Sequence, residues 1–225
     1  MTLITNYIGD SYIILAADKR SIKTNDQGII TETRDDKLKI FCGENFCIAL
    51  QGFVETKTAD YAKRLSEFVE IDRKLGREEL VKRLFENFQD VTGDQDAQVL
   101  NFIVSGFYEG ELFSFFLDLK NHIEIDCLKD DQHIRFNEQN TDEGELFCKG
   151  MIYLVRLFRD KKLFGGFANP NLREFSMDDL LEGFKFVYSK FDQNENYNSI
   201  GSKMDYCLIS VDEIEVNLTQ TENGD

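Results

Sequence analysis

The order of elements along the chain predicts an α+β fold, a four-layer αββα sandwich. Apolar residues recur at strand spacing at both ends and in the middle of the chain, and helical spacing appears in two stretches between them. Each helical stretch holds two segments, so helices arrive in pairs between groups of antiparallel strands. Two sheets packed face to face with helix pairs outside satisfy that order. At 225 residues the chain can bury a substantial core. One domain is expected over residues 1–218, followed by a polar tail at 219–225.

Strands are predicted first at 2–8 and 11–17, turned by Gly9-Asp10. An 18-residue polar stretch follows. Lys37–Phe41 and Phe46–Leu50 read as the next two strands, joined by Gly43-Glu44-Asn45 and ended by Gly52. Tyr61, Ala62, Leu65, Phe68 and Val69 then fall at helical spacing, as do Leu80, Val81, Leu84, Phe85 and Phe88, with Gly76 between the two helices. Val99–Val104 and Leu112–Leu117 form a hairpin around Tyr108-Glu109-Gly110. The segment 119–145 is polar, with strand-like pieces at 122–127 and 133–136. A third helix is read from Met151, Leu154, Val155 and Phe158. A fourth starts after Ser176, where Asp179 completes a capping box. Met204–Ser210 and Glu213–Leu218 close the fold as strands.

Charge and composition exclude several functions. The net charge of -16 leaves no basic patch for nucleic acid and disfavours a polybasic membrane anchor. No apolar run approaches the ~20 residues a membrane-spanning helix needs. Asn6, Asp10 and Ser11 interrupt any signal-peptide core, so a cytoplasmic protein is expected. The five cysteines contain no C-x-x-C pair, and most sit among strand-like apolar neighbours, as small buried hydrophobes do. His122 and His133 both lie in polar surroundings and read as loop residues. No metal and no cofactor is expected.

The chemistry-bearing residues cluster near the start. Removal of Met1 leaves Thr2 carrying both a hydroxyl and a free α-amine, a nucleophile with its own base. Asp18 follows at the end of an apolar run, and Lys37 lies nineteen residues further on, entering another. Hydroxyl, amine, carboxylate and ammonium together suffice for acyl transfer.

Here the chain resembles the proteasome β-type family of N-terminal nucleophile hydrolases, including its bacterial members. The residues that carry the resemblance are the threonine opening the first strand, I-I-L-A-A-D-K-R at 13–20 and D-K-L at 36–38. I-A-L-Q-G at 48–52 and F-I-V-S-G-F-Y-E-G at 102–110 continue it. The resemblance implies Thr2 as the nucleophile, its amine near a pKa of ~8 acting as base. It implies Lys37 beside the threonine oxygen, Asp18 paired with Lys37, and the Gly52 N–H as oxyanion donor. Ser21 and Leu50 become substrate-binding positions, Leu50 at the neck of an apolar pocket.

Two motifs depart from the family pattern. A Ser-Gly pair before the third helix is replaced by Lys149-Gly150, and an Asp-x-x-Ser-Gly by Tyr197-Asn198-Ser199-Ile200-Gly201. Lys149 and Ser199 are the residues left to support the amine. The expected function is thus a threonine-type peptidase or amidase acting on a peptide or small amide, assembled as a homo-oligomeric ring. The alternative is a catalytically inactive scaffold or binding subunit of the same fold.

Overall fold

The structure, a computed structural model, describes residues 3–25, 30–52, 60–93, 100–129, 134–138, 176–192 and 201–218. Strands β1 (Leu3–Ile8), β2 (Tyr12–Asp18), β10 (Ile134–Glu138), β11 (Met204–Ser210) and β12 (Ile214–Asn217) form one sheet, in the order β10-β1-β2-β11-β12. A second sheet runs β5-β6-β7-β8-β9, from Ile40–Cys42, Phe46–Gly52, Leu100–Tyr108, Glu111–Asp118 and Ile123–Asp126. Every pairing within the two is antiparallel. A short third sheet pairs β3 (Ser21–Thr24) with β4 (Ile30–Arg34).

Strand β6 shows why the sequence takes this form. Its run Phe46-Cys47-Ile48-Ala49-Leu50 is apolar throughout because both of its faces are covered. Phe46, Ile48 and Leu50 point into a core beneath helices α1 (Tyr61–Ile71) and α2 (Arg77–Asn87). Cys47 and Ala49 point the other way, into a core shared with Ile4, Ile13, Leu15, Cys207 and Ile209 of the first sheet. Large side chains face the helices and small ones face the opposing sheet. The helix side is closed by Leu65, Leu84 and an edge-on Phe88–Phe102 pair 5.0 Å apart. Within the interface between the sheets, Asn6 donates to Ser114 Oγ (2.9 Å) and accepts from Ser105 Oγ (3.2 Å), so its buried amide is satisfied.

Helix α3 (Met177–Asp192) packs on the first sheet through Tyr188, whose hydroxyl donates toward Leu3 O (3.3 Å) and Ala16 O (3.2 Å) and accepts from Thr5 Oγ1 (3.2 Å). The capping box starts it as the sequence predicts: Asp179 N–H donates to Ser176 Oγ (3.2 Å) and Ser176 Oγ donates to Asp179 Oδ2 (2.6 Å). Asp60 caps α1 by accepting from Lys63 N–H (2.9 Å). At the β7–β8 hairpin, Glu109 (φ 52°) and Gly110 (φ 82°) occupy the left-handed region, the requirement of a tight two-residue turn.

The four-layer αββα expectation is corrected by these elements. Among the described residues the chain is predominantly β, with three sheets and three α-helices, and α3 alone covers the first sheet. The helix read from Met151 to Phe158 lies outside the described residues. The polar stretch after Asp18, in which no strand is read from the sequence, contains the paired strands β3 and β4. Its side chains are mostly exposed or half-buried, which is why no apolar alternation announces it. The cysteines also differ from expectation, since Cys42 and Cys47 face each other across β5–β6 and are joined by a disulfide.

Candidate active site

Five chain segments meet at one end of the two main sheets. The run Ile13–Ala17 is buried along β2 and carries Asp18, its last residue, to full burial. A carboxylate there requires partners, and it has four. Its Oδ1 accepts from Leu3 N–H (2.7 Å) and from the Lys39 ammonium (2.9 Å). Its Oδ2 accepts from Arg20 N–H (3.0 Å) and Gly201 N–H (3.3 Å). Three backbone amides and one ammonium thus hold a single carboxylate.

Lys39 is buried just before β5, where Leu50 N–H donates to its carbonyl (2.8 Å) and extends the β5–β6 ladder by one step. Its Nζ also donates to Arg20 O (2.6 Å). Burial lowers the pKa of Lys39 below the usual lysine value, and the facing Asp18 charge offsets part of that shift. The ammonium therefore gives up a proton more readily than an exposed lysine would.

Arg20 braces the site from outside. Its guanidinium forms a two-point pair with Asp35, Nε to Oδ1 at 2.6 Å and Nη2 to Oδ2 at 2.9 Å. The pair lies against Gly201, where an added Cβ would come within 3.0 Å of both Arg20 Cβ and Asp35 Oδ1. That arginine holds Asp35 below the ordinary carboxylate range. Beside it, Lys19 and Asp205 form a buried ion pair at 3.5 Å.

The structure redistributes the residues expected from sequence. Asp18 sits at the centre. Thr2, the residue peptide-bonded to Leu3, lies outside the described residues, as do Lys149 and Ser199. The lysine on Asp18 is Lys39, not Lys37; Lys37 is half-buried, with its N–H bonded to Lys19 O (3.1 Å). Both lysines share a strand parity with Phe41, so spacing alone does not separate them. What separates them is three-dimensional: the Lys39 Nζ reaches Asp18 Oδ1 and Arg20 O, while Lys39 itself stands opposite Leu50 in the β5–β6 hairpin.

Gly52 ends β6 at φ 114°, a conformation that side chains disfavour, and lies two residues past the one opposite Lys39. Ser21 is half-buried at the start of β3. Leu50 is fully buried beneath α1 and α2, and the strand's period of two turns it to the helix side with Ile48. His122 is exposed and stacks on Phe85 at 5.0 Å, while His133 lies outside the described residues.

No family model and no curated protein matches the chain. Among solved structures it is similar to the Gly-1 mutant of Anbu from Hyphomicrobium sp. strain MC1, with a TM-score of 0.64 and 13% identity over 97% of this chain and 85% of Anbu. At that identity the likeness is one of fold, and the fold is proteasome-like. Membership of the proteasome β-type family of N-terminal nucleophile hydrolases, suggested by the motifs, is corrected by the structure: the described chain is mostly β-sheet with few helices.

Proposed function

We propose that the chain is a threonine-type peptidase or amidase whose nucleophile, Thr2, is exposed by removal of Met1. The observation that supports this reading is the pair of donors on Asp18 Oδ1: the N–H of the residue after Thr2 at 2.7 Å and the Lys39 ammonium at 2.9 Å. One carboxylate oxygen thus joins the start of β1 to a buried cation.

In this reading the Thr2 hydroxyl attacks an amide carbonyl and its α-amine takes the hydroxyl proton. The new C–O bond forms as the C–N bond breaks, and the departing amine receives that proton. Water then hydrolyses the ester and restores Thr2. Lys39, in the role first assigned to Lys37, favours the developing alkoxide, and Asp18 keeps it charged and in place. The Gly52 N–H is the proposed oxyanion donor, a contribution of about 3 kcal/mol where such donors operate. Lys149 and Ser199 remain the proposed supports of the amine, Ser21 remains a proposed substrate contact, and assembly into a homo-oligomer accompanies the reading.

Intact mass of the purified chain, combined with hydrolysis of small peptide amides, tests it. The expected result is loss of Met1, with turnover abolished in Thr2→Ala. Retention of Met1 would sink the proposal, because an amide in place of the amine has no basicity. A second reading, an inactive scaffold, is favoured by one observation: Asp18 is fully satisfied by its own chain. It predicts retained Met1, no labelling by threonine-directed electrophiles, and an effect of Lys39→Ala on stability alone.

A further inference from the structure

Three of the five cysteines converge away from the Asp18 cluster. Cys42 and Cys47 are directly opposed on β5 and β6, and Cys207 reaches them from β11 in the facing sheet. Their sulfurs all lie within 4.8 Å of one another. Cys47 and Cys207 are fully buried, and Cys42, next to the Gly43-Glu44-Asn45 turn, is half-buried. Around them the core between the sheets is apolar, with Leu15, Ile40 and Ile209 among its members. In the oxidised chain Cys42 and Cys47 are joined, while Cys207 keeps a free thiol that donates weakly to Leu15 O at 3.7 Å.

We propose that the reduced chain uses Cys42, Cys47 and Cys207 as a three-sulfur site for a soft monovalent cation of the Cu(I) class. The ligand count carries the choice of ion. Among the described residues no histidine, aspartate or glutamate joins the three sulfurs. A structural zinc site completes a tetrahedron with a fourth ligand, and none joins the three sulfurs among the described residues, whereas a set of three soft thiolates suits Cu(I). Burial pushes the Cys207 thiol up, but a bound metal deprotonates a coordinating thiol outright. Cys42 is the entry point, being the one of the three that solvent reaches.

The disulfide is the closed form of this site. A phosphine reductant delivers two electrons to the Cys42–Cys47 bond and becomes the phosphine oxide, with water supplying the oxygen and two protons. Cu(I) then displaces the three thiol protons. In exchange for a bond within one hairpin, the ion ties β5 and β6 to β11 and so links the two sheets.

The test uses the full chain, reduced with a phosphine under anaerobic conditions and titrated with Cu(I) against a chromogenic Cu(I) chelator. One Cu(I) per chain is expected, with three sulfur scatterers by X-ray absorption and none bound by the oxidised chain. Cys207→Ala should bind at least tenfold more weakly and show two scatterers. Failure of the reduced chain to withhold Cu(I) from the chelator would overturn the proposal. So would binding by Cys207→Ala as tight as that of the unaltered chain. Should that variant fail to fold, the scatterer count on the unaltered chain decides, and two sulfurs there reject the site.

Discussion

The Lys39 ammonium and the Asp18 carboxylate stand 2.9 Å apart with neither side chain more than 1% exposed. Such a pair is costly to desolvate and costlier to break, because removing one partner leaves a buried charge without compensation. Lys39→Ala should therefore lower stability by about 3–5 kcal/mol. Lys37→Ala, at a half-buried position two residues away, should stay within about 0.5 kcal/mol. Urea denaturation of both variants checks this, and equal losses would remove Lys39 from its place at the centre of the site.

The pH dependence of stability should have two separable arms. Asp35 has a folded pKa below its ordinary 3.8, chiefly through the Arg20 hydrogen bonds. Its contribution is present above 3.8 and is lost as pH falls through the folded value. Asp35→Asn should flatten that acid arm. Lys39 has a folded pKa below its ordinary 10.5, so the unfolded chain holds more protons between the two values. Stability should rise with pH across that window, and Lys39→Met should erase the rise. Thermal melts across both ranges measure each slope.

Tyr188 ties α3 to β1 and β2 through one hydroxyl with three oxygen partners. Tyr188→Phe keeps the ring but leaves the Thr5 hydroxyl without its acceptor in a buried site. The expected cost is about 1–3 kcal/mol. Chemical denaturation reads it directly, and a neutral result would mean that Thr5 finds another acceptor.

Two glycines of one hairpin should respond differently to substitution. A Cβ on Gly106 would lie 2.4 Å from Asn45 O and 2.5 Å from Phe113 Cζ, against backbone and packed ring alike. A Cβ on Gly110 meets nothing within 4 Å, leaving only the strain of φ 82°. Gly106→Ala should cost about 1–3 kcal/mol or more. Gly110→Asn, whose residue tolerates that backbone region, should be nearly neutral. Soluble yield and melting temperature of the two variants check this, and equal losses in both would rule out steric overlap at Gly106 as the cause.

The apolar patterns of β2, β6, β7 and β11 were legible along the chain because each strand buries at least one face, so its residues are chosen for that face. The Ser176–Asp179 cap was legible for a local reason, since both partners lie within one turn. Asp18 could be singled out because a carboxylate ending a buried apolar run needs partners wherever the strand goes. The identity of those partners was not legible. Leu3, Lys39 and Gly201 lie 15, 21 and 183 residues from Asp18, and only strand pairing brings their donors to one carboxylate.

Local sequence therefore determined where the apolar strands and the described helices form, but not the polar β3–β4 pair, and it marked the acidic group that must be satisfied. Tertiary structure decided which of two lysines satisfies it, on which side Leu50 is buried, and that three distant cysteines share one space. The physical reason is register: a period of two fixes alternation along a strand, but only cross-strand hydrogen bonds fix which residue stands opposite which.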